Sequence, residues 1–127
     1  MSGILFLCVH NAGRSQMAAG FARQIGGVDV YSGGSEPGDS LNPAAVAAMA
    51  EVGIDISDRQ PQRWTDEILH RVDVVVTMGC GDTCPFIPGK RYVDWPLDDP
   101  KGRPVEEVRR IRDEIRSLVQ DLIAQLA

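Results

Sequence analysis

Cys8 closes an apolar run and is followed by Val9-His10-Asn11-Ala12-Gly13, then Arg14 and Ser15. A cysteine, five residues, an arginine and a serine, set between a strand and a helix, describe a cradle for an oxyanion with a nucleophile at its floor. A thiolate needs positive charge nearby at neutral pH. A helix start supplies unpaired N–H groups and the positive end of a dipole. A guanidinium adds a fork that grips two oxygens of a tetrahedral anion. Ser15 can donate a hydrogen bond to the thiolate or cap the helix behind it, and one residue can serve both ends. Gly13 suits a backbone shape that other residues tolerate poorly. Asn11 can enter the left-handed region, so that successive N–H groups turn inward as an anion nest. Alone, a cysteine at a strand end is most often a buried core thiol. In this company Cys8 reads as a nucleophile and Val9 to Ser15 as the loop that binds a phosphate-like oxyanion.

The elements that must position this loop are legible on either side of it. Ile4-Leu5-Phe6-Leu7 has the unbroken apolar character of a strand buried on both faces. Residues 15–25 carry Met17, Ala18, Phe21, Ala22 and Ile25 at helical spacing, stopped by Gly26-Gly27. A second strand is expected at 28–32. A helix is expected from Asn42-Pro43 to Val52, with Asn42 as its cap. Another helix follows Thr65, and a third buried strand lies at 74–77. Residues 78–89 are a loop rich in Gly, Pro and Cys, residues 91–93 a short strand, and residues 95–104 a polar loop. Val105, Val108, Ile111, Ile115, Leu118, Leu122 and Leu126 mark a long amphipathic final helix. The alternation predicts one α/β domain over 1–127, with a four-stranded parallel sheet in the order 2-1-3-4 and helices on both faces. In such sheets ligands bind at the carboxyl ends of the strands. There Cys8, Cys80 and the 95–104 loop would meet.

A chain of 127 residues with 43% hydrophobic and 24% charged residues fits one soluble domain. No run approaches the roughly 20 apolar residues of a membrane helix, and no export signal is visible, so a cytoplasmic site is expected. A net charge of −5 argues against nucleic acid or an anionic membrane as partner. The three cysteines, Cys8, Cys80 and Cys84, are too few for a secreted disulfide framework. With only His10 and His70 beside them, no metal site is expected.

The loop resembles the active-site loop of the low-molecular-weight protein tyrosine phosphatase fold. Further stretches resemble the arsenate reductase branch of that family. They are Ser15-Gln16-Met17-Ala18, Tyr31-Ser32-Gly33-Gly34, Asn42-Pro43, the run from Ala48 to Ser57, Val75-Val76-Thr77, Trp95 and Asp98-Asp99-Pro100. The resemblance implies that Cys8 is the nucleophile, Arg14 the oxyanion clamp, Asn11 and Ser32 the residues that shape the loop, and Asp99 the general acid. Asp98, its neighbour, is the alternative acid.

Reduction of arsenate needs a second thiol, since two oxidising equivalents must be disposed of. Cys80 and Cys84, in a segment with glycines on both sides of Cys80, are the candidates for this relay. The resulting disulfide would be reduced from outside by thiol exchange. No tightly bound cofactor is implied. The three residues between Cys80 and Cys84 are fewer than in thioredoxin-coupled members and resemble the actinobacterial type, some of which use mycothiol and a mycoredoxin. In that route Cys80 and Cys84 are dispensable. Some members bind potassium through a Glu on the first helix, where this chain has Ala19. Tyrosine phosphatases of the family carry aromatic rings after the Asp-Pro pair, whereas Pro100 here is followed by Lys101-Gly102-Arg103-Pro104. The expected activity is arsenate reduction with thioredoxin or mycothiol as external reductant. A tyrosine phosphatase is the alternative enzyme, and an oxyanion-sensing module the alternative outside enzymes.

Overall fold

Every side chain of Gly3–Leu7 is buried, as an apolar run covered on both faces requires. This strand, β1, pairs in parallel with β2 (Asp29–Gly33) on one side and β3 (Val74–Thr77) on the other. β3 pairs in parallel with β4 (Arg91–Asp94), giving the expected order β2-β1-β3-β4. The computed structural model describes residues 2–78 and 87–126. Cys80 and Cys84, and most of the loop expected at 78–89, lie outside the described residues.

Four helices complete the order: α1 (Arg14–Ile25), α2 (Pro43–Glu51), α3 (Asp66–Arg71) and α4 (Val105–Leu126). Side chains alternate across a strand, so β1 serves two cores. Ile4 and Phe6 join Val74 and Val76 in packing against Met17 and Phe21 of α1 and Ile111 and Ile115 of α4. Leu5, Leu7 and Val75 face the other way, onto Trp64, Leu69 and Val72. Helices therefore cover both faces.

Local chemistry explains the helix ends. The Asn42 side chain accepts a hydrogen bond from the Ala44 N–H at 2.9 Å, with Pro43 in the first turn. The Thr65 hydroxyl accepts from the Ile68 N–H at 3.2 Å, and Asp66 and Glu67 sit at the positive end of α3. On α4 the buried stripe is Val108, Ile111, Ile115, Val119, Leu122 and Ile123. Val105, expected to begin it, is 49% exposed. An α-helix turns slightly more slowly than a strict seven-residue repeat, so its contact stripe drifts around the axis along 22 residues.

A charged clamp ties α2 to α4. Glu51 receives Arg109 Nη2 at 2.8 Å and Arg112 Nη1 at 2.7 Å. Arg112, only 8% exposed, also donates to the Ala48 carbonyl at 3.0 Å and to Asp113. The hydrogen bond from Arg109 leads in holding the Glu51 carboxyl down, to about 2, with that from Arg112 assisting. A carboxyl depressed on folding adds stability above its unfolded pKa, and that stability is lost as pH falls through the folded value. Glu51→Gln is therefore expected to lower Tm at pH 7, with the difference from the parent shrinking between roughly pH 4.5 and 2. Thermal melts at pH 7, 4 and 2 check this, and a constant difference across the three would count against the clamp.

Candidate active site

β1 ends level with Gly33 of β2 and Thr77 of β3, so Cys8 leaves the sheet at its carboxyl edge. The chain is crowded there. A Cβ added to Gly34 would overlap the carbonyl oxygens of Cys8 and Val9, and a Cβ on Gly33 would stand 2.8 Å from the Trp64 nitrogen. Only glycines let the loop and the 63–64 segment close on β2.

The carbonyls of Val9, His10 and Ala12 accept from the N–H groups of Glu36, Gly38 and Asn42 at 2.9, 2.9 and 2.8 Å. A trans peptide directs its N–H opposite to its C=O. The segment from Glu36 to Asn42 thus draws the loop carbonyls to one side and turns the linked N–H groups to the other. Asn11 sits at φ 50°, the left-handed conformation expected of it. Among the described residues, the N–H groups of His10, Ala12, Gly13, Arg14 and Ser15 have no protein acceptor. They stand at the start of α1, whose first turn carries no acidic residue. That is an anion nest at a helix N-terminus.

Gly13 is the N-cap of α1, at φ −135° and ψ −89°. It also sits against Pro100, whose Cγ would lie 3.3 Å from an added Cβ. One expectation changes in detail. Ser15 is already inside α1 and makes no cap, because its hydroxyl is committed elsewhere.

That commitment is to Cys8, whose Sγ lies 2.9 Å from Ser15 Oγ. Asn11 Nδ2 donates to the same oxygen at 2.7 Å. The orientation of the Asn11 amide is fixed from behind, where its Oδ1 accepts from the Gln62 main-chain N–H at 3.0 Å. A main-chain N–H can only donate, so this end of the amide must be the oxygen. Ser15 Oγ therefore accepts from Asn11, and its own proton is left for the sulfur. Both Asn11 and Ser15 are fully buried. Ser32 takes part through its main-chain carbonyl, which accepts from Gln62 Nε2 at 2.9 Å.

Arg14 Nη1 donates to the carbonyls of Met78 and Leu97 at 2.9 and 3.0 Å, beyond the ends of β3 and β4. These bonds fix the guanidinium and leave Nε and Nη2 without a hydrogen bond among the described residues. Asp99 Oδ2 lies 3.9 Å from Arg14 Nη2, and its Oδ1 accepts from the Lys101 N–H at 3.0 Å. Asp98 turns away, onto Arg110 of α4 at 3.0 Å. His10 Nδ1 lies 2.9 Å from the Glu36 carbonyl, which can only accept, so this nitrogen carries a proton.

Cys8, His10, Ala12, Gly13, Arg14, Asp99 and Lys101 line one cavity of about 450 Å³, together with residues 38–43. Asn11 and Ser15 lie behind it. No Phe, Tyr or Trp is among the described lining residues. Trp64 and Trp95 are buried in the two cores, with Trp95 packed beside Phe6 at 6.0 Å between ring centroids. Among the described residues no group of three or more His, Cys, Asp or Glu could hold a metal. Nor is any helix among them long and apolar enough to cross a membrane.

Sequence reasoning missed Gln16 and Gln62. Gln16 is 2% exposed, and its Nε2 reaches Asn11 Oδ1, the Asn11 carbonyl and the Gln60 carbonyl at 3.0, 3.2 and 3.3 Å. The available signal was its place, a polar residue on the apolar side of a helix directly after the loop.

A doubly wound parallel sheet presenting a Cys-x5-Arg-Ser nest beside an Asp-Pro loop defines an oxyanion-binding, thiol-bearing site of the phosphatase type. The chain belongs to the low molecular weight phosphotyrosine protein phosphatase family, whose profile matches residues 3–127. Within that family it groups with arsenate reductases. Arsenate reductase 2 of Staphylococcus epidermidis is 44% identical over 123 residues, 92% of each chain. A solved thioredoxin-dependent arsenate reductase of Corynebacterium glutamicum superposes with a TM-score of 0.86 at 39% identity, covering 98% of this chain and 61% of that one. Another solved structure, an arsenate reductase in the phosphate binding state, gives 0.88 at 36% identity over the full length of both chains.

Proposed function

We propose that this protein reduces arsenate to arsenite, with Cys8 as nucleophile. The carrying observation is the one-way chain of donors from Gln62 through Asn11 and Ser15 to the Cys8 sulfur, at the floor of an unspent N–H nest. Such a chain favours the thiolate, because a sulfur that accepts a hydrogen bond is stabilised when it is charged. The arsenate oxygens fit the nest N–H groups and the free edge of Arg14. Cys8 Sγ bonds to arsenic as an As–O bond breaks, and Asp99 gives the departing oxygen a proton. Asp99 faces the cavity and Asp98 is occupied by Arg110, which favours Asp99 for this role.

A second thiol, from Cys80 or Cys84, then attacks the Cys8 sulfur. The S–S bond forms, the S–As bond breaks with its electron pair passing to arsenic, and arsenite leaves. An external dithiol restores the enzyme by exchange. The reductase reading is favoured over a tyrosine phosphatase by the cavity lining, which among the described residues has no Phe, Tyr or Trp to sandwich a substrate ring. The Corynebacterium glutamicum relative favours thioredoxin as the reductant. The short Cys80–Cys84 spacing favours mycothiol with a mycoredoxin.

The test is product analysis with arsenate under each reductant separately, for the parent and for the double variant Cys80→Ser, Cys84→Ser. Thioredoxin coupling predicts arsenite from the parent and a loss of about 100-fold or more from the variant. Mycothiol coupling predicts arsenite from both. No arsenite under either reductant would overturn the assignment.

A further inference from the structure

We propose that Gln16 is a positioning residue for the nucleophile, setting the direction in which hydrogen bonds run toward the Cys8 sulfur. The inference rests on the reading of Cys8 as the attacking thiolate and adds the residue that enforces that state from inside α1.

The Asn11 amide has one end that donates and one that accepts, and the two are interchangeable in shape. Only one orientation sends a proton to Ser15 Oγ. With the amide reversed, Ser15 would have to donate to Asn11, and its lone pairs, not its proton, would face the sulfur. That arrangement suits a neutral S–H donating to Ser15 and disfavours the thiolate. The state of the nucleophile thus depends on which way an asparagine amide points.

Two donors decide this. One is the Gln62 N–H, at 3.0 Å from Asn11 Oδ1. The other is Gln16 Nε2, also at 3.0 Å from Oδ1, and simultaneously 3.2 Å from the Asn11 main-chain carbonyl. Gln16 therefore holds the side chain and the backbone of the same residue, the one residue in the loop with a left-handed backbone. Its third contact, the Gln60 carbonyl at 3.3 Å, joins α1 to the segment that brings the Gln62 N–H.

The orientation of Gln16 is itself forced. Three carbonyl oxygens surround Nε2, so a reversed amide would set oxygen against oxygen. The cost of this arrangement appears at the other end, where Gln16 Oε1 is buried without a hydrogen-bond partner among the described residues. Leaving a buried acceptor unpaired disfavours folding. A residue chosen for stability alone would not leave it so, whereas one that must present a donor to Asn11 has no other choice.

Gln16→Met removes the donor with little change in bulk, and Gln16→Glu replaces it with an acceptor that opposes Asn11 Oδ1. The measurement is the rate at which iodoacetamide labels Cys8 in the full chain, followed by peptide mass spectrometry at pH 7 and pH 9.5. The ratio of the two rates is internal to each protein, so changes in access to the thiol cancel. Both variants are expected to lower the pH 7 to pH 9.5 ratio about tenfold relative to the parent, with the larger loss in Gln16→Glu. Turnover should fall with it while KM for the oxyanion changes less than twofold. A merely structural role would lower Tm and leave the ratio unmoved. An unmoved ratio in both variants, with the far-ultraviolet spectrum of the folded parent, overturns the proposal. The labelling assay contains no arsenate, so its outcome stands apart from whether arsenate is the substrate.

Discussion

Replacing Cys8 by serine is expected to bring arsenite formation down to the uncatalysed rate while leaving oxyanion binding within a few-fold of the parent. The two halves of this result come from different parts of the loop. In the proposed site, binding depends on the N–H groups of His10 and residues 12–15 and on Arg14, and none of these changes in the variant. In the proposed mechanism the reaction depends on a sulfur that is nucleophilic at neutral pH, bonds to arsenic and gives up that bond when a second sulfur attacks it. A serine oxygen at this site has no base to take its proton, since its neighbour Ser15 is a donor toward position 8, and it cannot enter a disulfide. Calorimetric titration with phosphate or arsenate measures the first half, and arsenite assay the second. Turnover above about one part in a thousand would place the nucleophile elsewhere. Loss of binding together with turnover would instead mean that the thiolate is needed to organise the loop.

Gly34→Ala is the second substitution with a large expected effect, and it lies outside the loop. The added Cβ would overlap the carbonyl oxygens of Cys8 and Val9 and stand 2.9 Å from the Val9 carbonyl carbon. These are backbone atoms. No rotamer can relieve the clash, so either β2 or the start of the loop must move. Overpacking of this kind costs typically about 1–3 kcal/mol of stability. The functional loss should be larger in proportion. A displacement of about 1 Å at a reacting group costs on the order of 100-fold in rate, and the nucleophile itself would be displaced. Turnover is thus expected to fall at least about 100-fold in a variant that still folds, as judged by circular dichroism and thermal melting. Near-normal turnover would mean that β2 yields and the cradle does not depend on this contact.

Asp98 and Asp99 are adjacent acids in a polar loop, and nothing in their sequence separates them. In the folded chain Arg110, on the second turn of α4, takes Asp98, and Asp99 is left beside Arg14. Residues twelve apart in sequence decide which carboxylate faces the cavity.

What the chain alone determined follows from short-range rules. The apolar run Ile4–Leu7 and the valines at 74–76 announce a parallel sheet, because strands covered on both faces carry no polar alternation. Asn42-Pro43 and Thr65-Asp66-Glu67 announce helix starts, because caps are satisfied within one turn. The spacing from Cys8 to Arg14 and Ser15 announces the cradle, because the whole loop spans eight consecutive residues. Tertiary structure decided whatever depends on contacts between distant segments. Gly34 is required by the approach of the Cys8–Val9 backbone, not by a turn of its own, and Gly13 lies against Pro100. Ser15 serves the sulfur and not the helix end because Asn11 donates to it. Asn11 in turn is oriented by Gln62, fifty-one residues away. A hydrogen bond has a direction, and which of two interchangeable ends donates is settled only once every neighbour is in place.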